Sequence, residues 1–527
     1  MHCPFLVVNG RGFSYLTSAH DGLRFMASCL PTRPEQTLLD DRAMKSAIEG
    51  LEPKLVWKYF AELCTIPRPS KHEEKVIAYI LEKVKELGLQ AKKDRVGNVV
   101  VKKPASQGRE HLKPVCLQGH LDMVAEKNKE KVHDFLKDPI ELVRKGNVLM
   151  ANGTTLGADN GIAVATNLAI MEDTTLEHGP LEFLFTVDEE TGLTGASNLQ
   201  PGFIESTTLL NLDSEEEGAL YVGCAGGRDT ITTWHVQWEN APRGMPSASV
   251  MVKGLKGGHS GLEIDKGRGN AVKILNRALR GLEKLNIRIA SMAGGNKHNA
   301  IPREAEAVIF IPKKKWKAAA TIIEQFDAVV RAELSTVDPD VSVSIAGVQV
   351  NKAKVMKKKL QEQILKALSA MPHGVITMSA DIPGLVETST NVAVVRTERN
   401  RCVLVTSQRS SVMSALDDIQ HTVAAISELS GARVKTSDGY PGWKPDVNSN
   451  ILGIAKQTYR QLYGKDPEVK AIHAGLECGI IGERFPGMDM ISFGPTLEGV
   501  HSPEEKIYID SVEKFWNFLL AILKSIH

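Results

Sequence analysis

The sequence predicts an α/β protein whose central mixed sheet, flanked by helices, is interrupted by an inserted α+β lid domain. Three observations predict it. Between residues 52 and 213, short apolar strand-like runs alternate with amphipathic helical patterns. After Gly223-Cys-Ala-Gly-Gly the texture changes, and it returns only past Tyr440-Pro-Gly-Trp-Lys-Pro. Several apolar runs also end in an acid or a histidine, and the carboxyl ends of strands are where open α/β sheets place their sites.

At 527 residues the chain is too long for one ordinary domain. The texture divides it into an outer α/β unit, 44–227 with 437–527, and an inserted α+β unit, 228–436. Residues 1–43 share neither pattern and are expected to be a disordered or dispensable extension, with Met44 as the working start. The 64 basic and 63 acidic residues leave a net charge of +1. That balance argues against nucleic acid or an anionic membrane held by bulk charge. No apolar run approaches membrane-spanning length. Seven scattered cysteines without a Cys-x-x-Cys pair indicate neither a disulfide framework nor a zinc knuckle, and a cytoplasmic location is expected.

In chain order, Leu55, Val56, Tyr59, Phe60 and Leu63 recur at helical spacing. Ile66-Pro-Arg-Pro-Ser ends that helix, and Ser70 with Glu73 reads as the capping box of a second. Strands are expected over 97–102 and 114–118, the latter running into His120 and Asp122. Two apart on a strand, these side chains share a side, so His120 can bind a metal while Asp122 fixes its tautomer. Asn152-Gly-Thr-Thr-Leu-Gly-Ala-Asp-Asn-Gly opens a helix over 162–171, with Asp159 at the junction as an N-cap or a metal ligand. The strand over 180–187 ends in Asp188-Glu189-Glu190, three acids that repel unless a cation or proton sits among them. The next strand ends in Asp213, and His501 lies in a loop before the last helix, over 509–523.

Singly, each of these residues is more often a cap or a surface group. Together His120, Asp159, Glu190, Asp213 and His501 form an imidazole–carboxylate set without thiolate, which suits zinc and also manganese or cobalt. Shared carboxylates build two-ion sites that acidify a water and polarise a carbonyl. Glu189, beside Glu190, is then placed to serve as general base. His259, in Lys256-Gly-Gly-His-Ser-Gly, is a loop histidine that could equally be a tolerated turn residue.

Gly119-His-Leu-Asp-Met-Val, Gly153-Thr-Thr-Leu-Gly-Ala-Asp-Asn-Gly-Ile, Asp188-Glu-Glu-Thr-Gly, Asn211-Leu-Asp-Ser-Glu-Glu-Glu-Gly and Gly257-Gly-His-Ser-Gly resemble the di-zinc metallopeptidase superfamily of aminopeptidases, carboxypeptidase G-type enzymes and bacterial dipeptidases. The likeness runs from about residue 53 to the C-terminus. It implies a di-zinc exopeptidase fold and two zinc ions, with cobalt or manganese as alternatives. His120 and Asp213 would hold one ion, Glu190 and His501 the other, and Asp159 would bridge. Asp122 would orient His120, Glu189 would act as base, and His259 on the lid would steady the oxyanion. Asn299 and Arg409 are the implied clamps for a substrate carboxylate. The implied activity is hydrolysis of unblocked dipeptides, including Xaa-His, by a homodimer. The alternatives are a deacylase of N-acyl amino acids on the same scaffold and a non-catalytic metal-binding protein.

Overall fold

The computed structural model describes residues 46–350 and 354–527, so the expected extension over 1–43 lies outside the described residues. Two helices open the described chain. Lys54–Cys64 buries Val56, Trp57, Tyr59, Phe60 and Leu63, and Glu74–Glu86 buries Val76, Ile77, Ile80 and Val84, the stripes expected from their spacing. The capping box does not form. The second helix starts without a side-chain cap. Glu73 instead accepts the backbone N–H groups of Lys71 and Asp188, so it serves the site rather than the helix end.

Eight strands make the main sheet: β1 (Gln90–Lys93), β2 (Val99–Lys103), β3 (Val115–His120), β4 (Leu181–Thr186), β5 (Thr208–Asn211), β6 (Ala219–Cys224), β7 (Glu468–Ile472) and β8 (Asp489–Ser492). Their order is β1-β2-β4-β3-β5-β8-β6-β7. The central four, β4, β3, β5 and β8, run parallel. Antiparallel pairs lie to either side, which makes the sheet mixed. Every residue of β3 and β4 is buried, as expected for parallel strands covered on both faces. Alternation sorts their side chains. Val99, Val101, Leu117 and Phe183 join the core under the helices Ala158–Glu172 and Ile509–Ser525, while Val100, Cys116 and Leu184 join a second cluster with Ile480 and Ile481. The register sets His120 beside Thr186 and Gln118 beside Asn211, so the carboxyl ends of the central strands finish close to one level.

A second, nine-stranded sheet is built from residues between Gly226 and Thr436, with its own apolar core under four helices. The two chain crossings between the sheets lie side by side: Gly227 and Tyr440 exchange backbone hydrogen bonds, as do Cys224 and Trp443. A Cβ on Gly226 would meet the Gly442 nitrogen at 2.5 Å, so this close approach requires glycine. A small four-stranded sheet, not anticipated from the sequence, pairs Val148–Ala151 with Lys506–Tyr508. It pins the loop that carries His501. No described helix is long and apolar enough to cross a membrane.

Candidate metal centre

Each of the central strands delivers its chemistry at its carboxyl end. His120 is the last residue of β3, and Asp213 lies two residues past β5. After β4, Asp188 adopts a left-handed φ of 51°, and the chain turns there into the short helix Glu189–Gly192. That turn aims the backbone N–H groups of Glu189 and Glu190 at Asp122, whose two oxygens accept them at 3.0 and 3.2 Å. His501 enters from the loop after β8, also with a left-handed φ, of 60°. Asp159 does not cap the helix with its side chain, because its two carboxylate oxygens face the two histidines.

The five expected ligands come together in two triads with one member in common. His120, Asp159 and Asp213 form the first, and Asp159, Glu190 and His501 the second. One Asp159 oxygen stands 3.1 Å from His120 Nε2, and the other stands 3.1 Å from His501 Nε2. Asp213 lies 3.4 Å from the same His120 nitrogen, and Glu190 lies 2.9 Å from the same His501 nitrogen. On the far side of its ring, His120 Nδ1 faces Asp122 Oδ1 at 3.4 Å and the Asp122 carbonyl at 3.2 Å. Glu189 sits with Glu190 against His120.

The electrostatics are those of an acid cluster short of positive charge. Burial raises the Glu189 carboxyl well above its ordinary range, and Asp213, Glu477 and Glu190 add to the rise against the opposing pull of His120. Burial likewise raises Glu190 and Asp213. His501, bonded to Asp159 and Glu190, is pushed up to about 11. Burial raises Asp122 too, but His120 outweighs it and holds the carboxyl down at about 2. Glu190 Oε1 is buried with no hydrogen-bond partner among the described residues. Such an orphan, in a set of carboxylates and imidazoles with paired outer contacts, fits divalent cations.

The remaining expected residues stand apart from this cluster. Burial, then Arg409, lowers His259 to about 4, and Glu263 and His298 are the other charged groups acting on it. Its Nδ1 accepts the N–H groups of Gly261 and Leu262, which leaves the proton on Nε2. Asn299 lines a cavity of about 740 Å³ together with His259 and Arg303. Arg409, 7% exposed, donates to the Tyr440 hydroxyl at 2.7 Å, and its buried Nε has no partner.

Three further residues escaped the sequence reading. Buried Arg68 donates to the carbonyls of Leu121, Asp122 and Gly157. Buried Glu505 accepts the N–H groups of residues 156–159. His473, at the end of β7, bonds through Nε2 to Ser389 of the second sheet at 2.7 Å. Nothing in their local sequence marks them, because each acts on backbone or on a side chain distant in the chain.

A sheet presenting two acid–histidine triads at its carboxyl edge is the arrangement of a metallohydrolase. The chain belongs to peptidase family M20/M25/M40, whose model matches residues 116–525. It is 42% identical over 482 residues, 91% of this chain and 99% of the relative, to the cytosol non-specific dipeptidase of Escherichia coli (strain K12). The crystal structure of aminoacylhistidine dipeptidase from Vibrio alginolyticus superposes with a TM-score of 0.85 at 42% identity, covering 91% of this chain and 98% of that one. Aminopeptidase PepT from Bacillus cereus shares the fold at a TM-score of 0.57 and 17% identity, over 90% of this chain and 99% of that one.

Proposed function

We propose that this M20-family hydrolase is a dipeptidase with a two-ion centre, cleaving unblocked dipeptides that include Xaa-His. The observation that carries the reading is Asp159, which turns one oxygen to each histidine and thereby joins the two triads. His120 and Asp213 would hold one ion, Glu190 and His501 the other, with Asp159 between them. Zinc suits these donors, and cobalt or manganese would serve. When bound, such ions acidify the attacking water and polarise the scissile carbonyl.

The chain's own residues supply the rest. Asp122 holds the His120 ring in place and takes up the two N–H groups that aim Glu189 and Glu190. Glu189 accepts the proton of the attacking water and returns it to the leaving amine. Residues 44–227 and 437–527 form the catalytic domain and 228–436 the lid; the separate sheets and cores support that division. Closure of the lid about the paired crossings at 224–227 and 440–443 would bring His259 Nε2–H to the developing oxyanion. Arg409, with its unpartnered Nε, and Asn299 would take the substrate carboxylate. We further place the protein in the cytoplasm as a homodimer. The name of the Escherichia coli relative and the five cysteines among the described residues, all buried and free, support the location; the dimer rests on the family likeness.

Hydrolysis of a panel of free dipeptides, including β-alanyl-histidine, alongside N-acetyl amino acids tests the reading. Cleavage of the free dipeptides alone is expected. Cleavage confined to the acylated amino acids would keep the centre and overturn the substrate.

A further inference from the structure

Asp159 can serve two triads only if the loop that carries it is held at a fixed distance from the loop that carries His501. The loop over 156–159 turns four consecutive N–H groups toward one point, and Glu505 occupies that point. Its Oε2 accepts Leu156 N at 2.7 Å and Gly157 N at 3.0 Å. Its Oε1 accepts Ala158 N at 2.8 Å and Asp159 N at 3.3 Å. Glu505 is 2% exposed, and it lies four residues beyond His501 in the loop pinned by the small sheet. One side chain therefore ties the backbone of Asp159 directly to the segment that presents His501.

The opposite face of the same loop is held by the opposite charge. Arg68, 2% exposed, donates to the Gly157 carbonyl and also to the carbonyls of Leu121 and Asp122. Gly157 must be glycine here: its φ is 72°, and a Cβ would meet Arg68 Nη2 at 2.7 Å and Met123 Sδ at 2.8 Å. A buried cation thus ties the loop to the strand end of His120, and a buried anion ties it to the loop of His501. Charge-assisted bonds of this kind are short and directional, which suits them to fixing a backbone.

We infer that Glu505 is a positioning residue that sets Asp159 against His501, so that one carboxylate can serve both halves of the centre. The inference rests on the two-ion reading above. A carboxylate presents acceptors to all four N–H groups, whereas the amide of Glu505→Gln must turn an NH2 toward two of them. Two of the four N–H groups then lose their acceptor, and on this side the loop is held only by the other two.

The test compares the parent, Glu505→Gln, Glu505→Asp and, as a control, Glu504→Gln at the exposed neighbour. Ion affinity is read by competition with a chromophoric chelator, the visible spectrum of the cobalt-loaded protein reports ligand geometry, and thermal unfolding of the metal-free protein reports folding. For Glu505→Gln we expect a cooperative unfolding transition, affinity for at least one ion weakened about 10- to 100-fold, and a changed cobalt spectrum. Excess metal should restore part of the turnover. Glu505→Asp, which keeps the charge but shortens the reach, should fall between, and it carries the same readout if the glutamine variant does not fold. Glu504→Gln should match the parent. Parental affinity and an unchanged cobalt spectrum in both Glu505 variants would overturn the inference while leaving the centre intact. A parent that binds no ions would overturn the two-ion reading and the inference with it.

Discussion

The carboxyl edge of the main sheet and the histidine–arginine cluster around Arg409 are built in opposite ways. At the sheet edge, carboxylates from three strand ends and a helix start converge on two imidazoles; burial raises Glu189, Glu190 and Asp213, while against it the histidines hold Asp122 and Asp159 down. In the other cluster the charge in excess is positive. Burial and then Arg409 lower His259 to about 4 and His473 to about 3, so both imidazoles are neutral near pH 7. Asp229 is already committed to His298, 2.9 Å away. One region asks for cations and the other, through Arg409, for an anion. The two sites are therefore separate constructions: the acid cluster sits on the main sheet alone, whereas the cluster around Arg409 joins that residue, on the second sheet, to His473 just beyond the main sheet's β7.

Breaking the first region should cost most. Glu189→Gln is expected to lower kcat by roughly 10²- to 10⁴-fold, the usual span for a general base, while both ions remain bound; full turnover in that variant would refute the assigned proton path. His259→Ala should lower kcat by about 10²-fold or more, as for loss of one oxyanion donor, again without loss of metal. An ion content that fell with His259 would mean that the two regions are not separate. Arg409→Ala should act chiefly on KM. A hydrogen bond to a charged group contributes about 1.5–3 kcal/mol, or roughly a 10- to 100-fold rise; a fall in kcat at unchanged KM would contradict the clamp.

The smallest effect is on stability. Burial lowers His373 to about 4, and His473 is lower still. Their unfolded counterparts titrate near 6.5. Between pH 6.5 and about 4 the unfolded chain therefore binds more protons than the native one, so stability should be full above that window and fall as pH drops through it. Thermal unfolding of parent and His373→Gln across pH 7.5 to 5 should show a shallower slope in the variant. Parallel slopes would exclude His373 as a contributor.

Much of the main sheet was legible because its strands are continuous apolar runs, and runs ending in His120, Asp188 and Asp213 mark strand ends on a parallel sheet. Asp159 was readable as either cap or ligand, since the two roles use the same residue type at the same loop–helix junction; only the cross-chain contacts to His120 and His501 decide between them. Arg68 and Glu505 were illegible, because a side chain that bonds to distant backbone leaves no periodicity or spacing behind it. The Ser70 capping box misled, since a serine three residues before an acid looks the same whether that acid turns to the helix end or, as Glu73 does, to Lys71 and Asp188.

Turnover by the proposed mechanism needs two ions, held by the triads that share Asp159. The most direct test is to strip the protein with a chelator, return zinc in steps, and follow bound metal and dipeptide hydrolysis on the same samples. The account predicts no hydrolysis by the stripped protein and full activity as binding approaches two ions per chain. Undiminished hydrolysis by the stripped protein, or binding that saturates at a single ion with full activity, would contradict it.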